Sequence, residues 1–439
     1  MSNSLRPTDL RLPTGFSRQT GGHVTEHVTD GIPSEHTEGI LAPAPHRVID
    51  TPDALDETSA ALARGHGPVA VDVERASGFR YSQRAYLIQV FRRDGGLHLI
   101  DPPAVGDLSP LQRAIGDEEW VLHAASQDLP SLREAELVPR RIFDTELASR
   151  LLGRDRVGLG AVVEDVLGIT LAKTHSAADW SARPLPESWL EYAALDVFHL
   201  IDVRDALVEE LAEQGKTEIA DEEFRAVLER PARAPREDPW RRLSGLHTVR
   251  GRRSLAVARE LWQAREDYAR EVDTSPGRLL PDRSIIAAVI ADPQSKQALA
   301  ALKDFTGRSS RSQLDRWWAA IERGRAETAL PVERVPGDGP PPPRAWADRN
   351  PAADARLRTA RPAVEEIAGE LGMPVENLLT PDLLRRVAWA PPQPMDAETI
   401  GTALRGLGAR SWQVEKTART IADAFVSAAQ PPVEAPEEA

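Results

Sequence analysis

The chain has 439 residues, of which 41% are hydrophobic, and a formal net charge of −14. This length and composition predict a globular protein of two to four domains. The absence of cysteine excludes disulfides, thiolate metal sites and cysteine nucleophiles, and it fits a reducing compartment. The polar N-terminus lacks the apolar centre of a signal peptide, and no stretch approaches the roughly 18 apolar residues that cross a membrane. We therefore expect a cytoplasmic protein.

Residues 1–45 are polar and rich in Thr, His, Gly and Pro, which predicts a disordered tail. Between residues 46 and 215, short apolar runs alternate with amphipathic stretches, a pattern typical of a mixed α/β domain. We predict strands at residues 69–73, 86–91, 97–100 and 120–123, with a hairpin turn at residues 94–96. We predict helices near residues 127–134, 145–152, 159–167 and 187–213.

Two helical segments follow at residues 240–325 and 351–428, with a Pro-rich linker at 326–350 and an acidic tail at 429–439. Arginines concentrate between residues 240 and 283, and arginine binds phosphate through a planar fork. A GC-rich genome explains the excess of arginine over lysine equally well. The clustering is the stronger indication of a nucleic-acid partner, since the acidic net charge of the whole chain argues against one.

The first chemical motif is a pair of carboxylates, Asp72 and Glu74, at the end of the first predicted strand. Residues two apart on a strand point to the same face, so both carboxylates project together while Val71 and Val73 pack beneath. Such a pair is electrostatically costly unless a cation neutralises it, and an all-oxygen site suits Mg²⁺ or Mn²⁺. The common alternative is a pair of acids that only faces solvent.

Two further motifs follow along the chain. Asp128 comes after an apolar strand and a short turn, and we predict it in the first turn of a helix, where an aspartate also favours the helix dipole. Tyr192 and Asp196 are four residues apart on a predicted helix and therefore share a face. A buried tyrosine beside an incidental aspartate is the alternative. Each motif alone favours its structural alternative, but the three together in this order are far more specific.

These residues, with Lys173 and the run from 176 to 185, resemble the DEDD exonuclease superfamily and specifically the ribonuclease D family. The tyrosine-bearing branch is indicated, because the sister branch has histidine five residues before the last aspartate, where this chain has Glu191. The resemblance covers residues 48–214 and, with the next segment, most of the chain. It implies an α/β, ribonuclease H-like mixed-sheet exonuclease domain, followed by one or two all-α HRDC-type helical bundles.

The resemblance implies a metal-dependent 3′→5′ exoribonuclease that hydrolyses phosphodiester bonds from RNA 3′ ends with two divalent cations, Mg²⁺ or Mn²⁺. Trimming of tRNA or other structured RNA precursors is the expected role. The resemblance assigns Asp72, Glu74, Asp128 and Asp196 as catalytic metal ligands. Tyr192 completes the catalytic set by orienting the attacking water, because an unperturbed phenol with a pKa of about 10 is a poor base at neutral pH.

Two alternative functions remain open at this point. A single-stranded DNA 3′→5′ exonuclease would use the same chemistry, and no residue in the sequence must read a 2′-hydroxyl. A non-catalytic RNA-binding scaffold of the same fold is the other alternative, although all five catalytic positions are filled. The expected partner is RNA with a free 3′ end, with no membrane contact, and we expect a monomer.

Several other side chains are candidates for contact with the nucleic-acid terminus: Gln89, His123, Gln127, Lys173 and Trp180. Trp180 suits stacking on a base, although a tryptophan beside Asp179 is equally typical of packing. Phe79 and Tyr81 present the same two interpretations.

Residues 240–325 resemble the HRDC module at residues 278–281, 285–286, 292–293 and 302–309. This resemblance implies an auxiliary nucleic-acid-binding unit that raises affinity through linked binding. A bundle that only packs on the catalytic domain is the alternative. Residues 351–428 echo this segment, which favours duplication of one module, but they depart further from the family pattern, and their binding role stays open.

Overall fold

The computed structural model describes residues 47–171, 178–232, 234, 236–305, 307–335, 337 and 339–429. The predicted N-terminal tail, the acidic tail beyond residue 429 and the predicted contact residue Lys173 lie outside the described residues. Within the described part of the chain, no helix is both long and apolar enough to cross a membrane.

A mixed six-stranded sheet organises the described part of residues 47–229. Its strands are β1 (Val48–Ile49), β2 (His66–Arg75), β3 (Ala85–Arg93), β4 (Gly96–Ile100), β5 (Glu119–Leu122) and β6 (Arg141–Asp144). Their order is β1-β4-β3-β2-β5-β6, in which β3 is antiparallel to both neighbours and the other pairs are parallel. This sheet and its helices confirm the predicted α/β class and all four predicted strands. Strands β1 and β6 were not predicted. β1 has only two residues, and β6 offers only two consecutive apolar residues between Arg141 and Asp144, which is too short an apolar run to indicate a strand.

The helices that accompany the sheet are α1 (Pro52–Arg64), α2 (Pro102–Val105), α3 (Ser109–Ile115), α4 (Leu129–Glu134), α5 (Thr145–Leu151), α6 (Leu159–Leu167), α7 (Glu187–Phe198), α8 (Leu200–Glu213) and α9 (Thr217–Glu229). The single helix predicted over residues 187–213 is two helices that meet at His199. No glycine or proline marks the break. Its cause is tertiary packing, since α7 contacts β2, β3 and β4 whereas α8 contacts β2, β5, α5 and α6.

Two helical bundles follow. The first bundle contains α10 (Arg252–Glu271), α11 (Pro276–Leu279), α12 (Asp282–Ala291), α13 (Lys296–Ala300), α14 (Arg308–Ser312) and α15 (Leu314–Ala326). The second bundle contains α16 (Trp346–Arg349), α17 (Pro351–Glu370), α18 (Val375–Leu378), α19 (Pro381–Trp389), α20 (Ala397–Gly406) and α21 (Ser411–Ala429). In both, a helix of 20 residues precedes one of four residues, as expected for copies of one module. The exact domain bounds stay a prediction.

The two bundles attach to the sheet domain in different ways. The first bundle has its own apolar core, which includes the fully buried Phe305 and Trp317. The core of the second bundle is continuous with the core of the sheet domain. At that junction, the buried Glu223 of α9 pairs with Arg410 and accepts a hydrogen bond from the Trp412 indole at 2.9 Å. The second bundle is therefore part of the body that supports the sheet.

The first bundle contacts the loop between β2 and β3, residues 76–84, hereafter the β2–β3 loop. Asp273, just beyond α10, accepts hydrogen bonds from the Ser82 amide at 2.9 Å and the Tyr86 hydroxyl at 3.3 Å. Arg84 lies 3.7 Å from the same carboxylate. The bundle thus fixes the loop that directly follows strand β2.

The Asp273→Ala substitution tests this attachment. Removing the acceptor leaves the Ser82 and Tyr86 donors without their partner, so we expect a local loss of about 1–3 kcal/mol. Hydrogen–deuterium exchange should show faster exchange in the β2–β3 loop, with the core of the sheet unchanged. The exposed Glu322→Ala on α15 is the matched control. Equal exchange of the loop in both variants would show that Asp273 does not hold it.

Candidate active site

Three carboxylates from two elements converge beside β2. Asp72 and Glu74 alternate along β2 with the buried Val71 and Val73, as the period of a strand requires. Helix α7 brings Asp196 to the same place, and one oxygen from each of these three carboxylates lies within 4.8 Å of the others. The predicted convergence of the first and third motifs is therefore observed.

Tyr192 lies one turn before Asp196 on α7, and its hydroxyl hydrogen-bonds the Asp196 carboxylate. The residues between them, Ala193 and Ala194, are fully buried. Such small side chains let the backbone of α7 approach the sheet closely.

The electrostatics of the cluster are unfavourable without a cation. Two like unit charges about 4 Å apart repel by about 4 kcal/mol at the effective dielectric near a protein surface. Burial, together with Asp72, Asp196 and Asp128, raises the pKa of Glu74 to about 10. Burial also raises the pKa values of Asp72 and Asp196 above their usual range. Glu74 would therefore hold a proton at neutral pH unless a cation took its place, and the same burial disfavours the charged forms of Asp72 and Asp196.

Asp128 belongs to the same electrostatic group. Burial and the neighbouring Asp72 raise the pKa of Asp128 to about 8. The structure corrects its predicted place in the first turn of a helix, because Asp128 is the residue immediately before α4 and its side chain does not cap that helix. The carboxylate is thereby left for other partners.

Arg75 is the cation that the sequence analysis missed. Its guanidinium lies 3.3 Å from the Asp128 carboxylate and also donates to the Gln127 carbonyl. Simple alternation along β2 would place the side chain of Arg75 on the face of the sheet opposite to Glu74. The register between β2 and β3 shifts between Glu74 and Arg75, however, which changes this alternation. No local sequence signal reveals such a shift.

The donor set fits divalent metal ions. Mg²⁺ and Mn²⁺ prefer carboxylate oxygen ligands. The cluster of Asp72, Glu74 and Asp196 offers three such oxygens, which lie within 4.8 Å of one another. Asp128 adds a fourth carboxylate nearby, and Arg75 forms an ion pair with it. The surplus of negative charge is the feature that a metal ion would neutralise.

The other predicted contact residues are placed as follows. Gln127 is exposed at the surface beside Asp128. Nδ1 of the partly buried His123 hydrogen-bonds the Thr145 hydroxyl at 2.9 Å, and burial lowers the pKa of His123 to about 4, so this ring is neutral. Contact of these two side chains with nucleic acid stays a prediction.

Gln89 and Trp180 differ from the surface residues that the prediction implied, because both are fully buried. Trp180 packs against Trp189 and Tyr192, with ring centroids 5.3 and 6.5 Å apart, so it supports the active-site helix and offers no open face to a base. Gln89 is the register partner of Asp72 on β3. Its amide atoms have no hydrogen-bond partner among the described residues.

The aromatic residues of the β2–β3 loop contact arginines of the first bundle. The guanidinium of Arg278 lies 4.0 Å from the Phe79 ring centroid, and that of Arg270 lies 5.4 Å from the centroid of Tyr81. Arg265 is buried and binds the Asp282 carboxylate at 2.6 Å. Some arginines of the cluster therefore make contacts within the protein. The sequence alone cannot distinguish this structural role from phosphate binding.

Comparisons with known proteins agree with this geometry. A family model described as 3′-5′ exonuclease matches residues 46–212, one described as HRDC domain matches 254–321, and one described as 3′ to 5′ exonuclease C-terminal domain matches 339–425. The ribonuclease D of Gluconacetobacter diazotrophicus is 34% identical over 286 residues, which are 62% of this chain and 71% of that protein.

Two solved structures extend the similarity over most of the chain. A protein from Bifidobacterium adolescentis matches with a TM-score of 0.81 and 38% identity, over 87% of this chain and 97% of that one. Escherichia coli RNase D, described as an exoribonuclease involved in structured RNA processing, matches with a TM-score of 0.62 and 27% identity. That match covers 83% of this chain and 98% of the E. coli chain.

The mixed sheet and its acidic cluster define a 3′-5′ exonuclease of the divalent-metal-dependent kind. Such enzymes hydrolyse phosphodiester bonds, and the HRDC match adds a nucleic-acid-binding type of domain. The chain belongs to the ribonuclease D family of 3′-5′ exoribonucleases.

A thermal unfolding experiment on Glu74→Gln tests the charge balance of the cluster. Glutamine keeps the shape of the side chain and cannot ionise. In chelator at neutral pH, the raised pKa of Glu74 means that folding must protonate a carboxylate that is ionised in the unfolded chain, so removing this cost should raise the stability by about 0.5–2 kcal/mol. Added Mn²⁺ should raise the melting temperature of the unsubstituted protein more than that of the variant. The exposed Glu229→Gln is the control. A Glu74→Gln protein that is less stable in chelator, yet equally stabilised by Mn²⁺, would contradict this account.

Proposed function

We propose that Asp72, Glu74, Asp128 and Asp196 hold two divalent cations, Mg²⁺ or Mn²⁺, and that this site removes nucleotides from RNA 3′ ends. The observation that carries the proposal is the convergence of Asp72, Glu74 and Asp196 within 4.8 Å, beside a fourth buried carboxylate. A non-catalytic scaffold has no need for this costly arrangement, which supports the enzymatic role over that alternative.

Asp72 is the carboxylate common to the whole group. It raises the pKa of Glu74, Asp128 and Asp196. This central position supports the proposal that Asp72 would help to hold both cations, together with Glu74 and Asp196 for one and Asp128 for the other. When bound, a pair of divalent cations supplies stabilisation of charge on the attacking and leaving oxygens and lowers the pKa of water.

Tyr192 acts as a neutral hydrogen-bonding group. Burial, with Asp196 and Glu74, raises the pKa of this phenol still further above its usual value. The hydroxyl therefore keeps its proton, donates a hydrogen bond to the Asp196 carboxylate and is of a type that can also accept one from a water molecule. Tyr192 is for this reason a positioning group for the nucleophile and not the base that deprotonates it.

The substrate that we propose is RNA with a free 3′ end, including tRNA-like and other structured precursors. The ribonuclease D relatives and the E. coli structure described as acting in structured RNA processing support this choice. The first bundle is proposed to assist RNA binding, since it contacts the β2–β3 loop next to the catalytic strand. We propose that the protein acts as a monomer in the cytoplasm.

Digestion of a stem–loop RNA with a single-stranded 3′ extension tests direction and substrate together. With Mg²⁺ or Mn²⁺, a 5′-labelled RNA should shorten progressively, and a 3′-labelled RNA should release labelled mononucleotide first. Asp72→Asn should lower the rate by about 10³-fold or more, which corresponds to about 4 kcal/mol of transition-state stabilisation. Shortening from the 5′ end would contradict the proposal, and equal rates on single-stranded DNA would remove the preference for RNA.

Tyr192→Phe tests the role of the phenol. Loss of one orienting hydroxyl should lower kcat by about 10²-fold, while the Mn²⁺-induced rise in melting temperature stays unchanged. Tyr268→Phe in the first bundle is the matched control, because it removes a hydroxyl outside the acidic cluster. Loss of the Mn²⁺ effect in Tyr192→Phe would instead show that the hydroxyl is needed to assemble the metal site.

A further inference from the structure

One buried carboxylate, Asp144, lies outside the candidate metal-binding group and yet organises the segment that carries Asp128. Asp144 is the last residue of β6 and is 4% exposed. Its Oδ1 accepts hydrogen bonds from the amides of Glu146 and Leu147, at 3.0 and 3.1 Å, which caps α5. A helix cap needs no more than this.

The same carboxylate also holds the chain that follows β5. Oδ1 accepts from the Ala124 amide at 3.0 Å, and Oδ2 accepts from the Ala125 amide at 2.9 Å. Four backbone donors from two segments therefore end on one buried side chain. Neither the cap of α5 nor the packing of β6 explains the two bonds to residues 124 and 125.

The turn that Asp144 holds is strained. Ala124 has a φ of +60°, in the left-handed region that residues with a Cβ disfavour. Its carbonyl accepts from the Gln127 amide at 2.9 Å, and the Ala125 carbonyl accepts from the Asp128 and Leu129 amides at 3.2 and 3.0 Å. A continuous set of hydrogen bonds thus runs from Asp144 through two alanines to the backbone of Asp128.

Neighbouring side chains reinforce the junction without contributing to the acidic cluster. The fully buried Thr145 donates from its hydroxyl to the Leu122 carbonyl at 3.2 Å and lies 2.9 Å from Nδ1 of His123. The end of β5 is therefore tied to the start of α5 on both sides of the strained turn. These bonds fix the backbone that immediately precedes Asp128, and with it the direction of the Asp128 side chain.

We propose that Asp144 is a positioning residue that fixes the Asp128 carboxylate for cation binding, through the strained turn at Ala124. The inference rests on the proposed function, in which Asp128 is a ligand of the second cation. Partners of this kind beyond the ligands typically change metal affinity by about 10- to 100-fold. Asp144 itself contacts neither cation nor substrate.

The test is a calorimetric titration of the full-length protein with Mn²⁺, compared among variants. Asp144→Asn replaces one of the two acceptor oxygens by an NH₂ group, which donates and cannot accept, so one of the two alanine amides loses its partner. We expect the weaker of two Mn²⁺ binding events to lose about 10- to 100-fold in affinity, while the stronger event, assigned to Asp72, Glu74 and Asp196, is unchanged. Two unchanged binding events would overturn the inference.

A rescue variant separates positioning from a general loss of structure. Glycine adopts a positive φ without strain, so Ala124→Gly in the Asp144→Asn background should restore part of the weaker Mn²⁺ affinity. Asp396→Asn removes another helix-capping aspartate, at α20, and should leave both Mn²⁺ events unchanged. If Asp144→Asn does not fold, the Mn²⁺ titration is made on the double variant with Ala124→Gly. A double variant that recovers none of the weaker Mn²⁺ affinity would count against the role of the turn.

Asp128→Asn distinguishes failure of this inference from failure of the proposed function. If Asp128→Asn abolishes the weaker event and Asp144→Asn leaves it intact, only the positioning role of Asp144 is wrong. If the weaker event survives in Asp128→Asn, Asp128 is not a ligand, and the proposed metal site is wrong with it.

Discussion

Repulsion among closely spaced carboxylates is the constraint on which the rest of this structure depends. Asp72, Glu74 and Asp196 meet within 4.8 Å, and Asp128 lies in the same electrostatic field. Folding brings these groups together at a cost that grows as water is excluded. A protein under selection for stability alone would not keep such a group. The carboxylate group is explained if a cation neutralises it and the bound cation then stabilises charge on a phosphate.

The scaffold supplies rigidity at each point where a carboxylate must be held. Strand β2 lies between β3 and β5, so the first two carboxylates rest on a paired backbone. Helix α7 is pressed against the sheet through Ala193 and Ala194, with Trp180 packed behind Tyr192. The first bundle holds the β2–β3 loop, and the second bundle shares its core with the sheet domain. The elements that carry the acidic cluster are thus supported by both helical bundles.

The sequence predicts the parts of this site that depend on periodicity. Alternation along a strand places Asp72 beside Glu74, and the spacing of four on a helix places Tyr192 beside Asp196. It does not predict contacts set by tertiary structure. The shift in register at Arg75, the break between α7 and α8 and the burial of Trp180 have no local signal. Strand β6 was not predicted because only two apolar residues lie between its charged ends, and for the same reason the four hydrogen bonds to its last residue, Asp144, could not be foreseen.

The most direct test of the proposed two-cation site is to locate the bound metal ions. A crystal structure with Mn²⁺ and a 3′-terminal nucleotide, with anomalous scattering recorded for manganese, would place each ion against its ligands. We expect two peaks about 3.5–4 Å apart, one contacted by Glu74 and Asp196, the other on the side of Asp128, with Asp72 contacting both. Peaks whose ligands omit Asp72, or manganese bound away from this cluster, would contradict it.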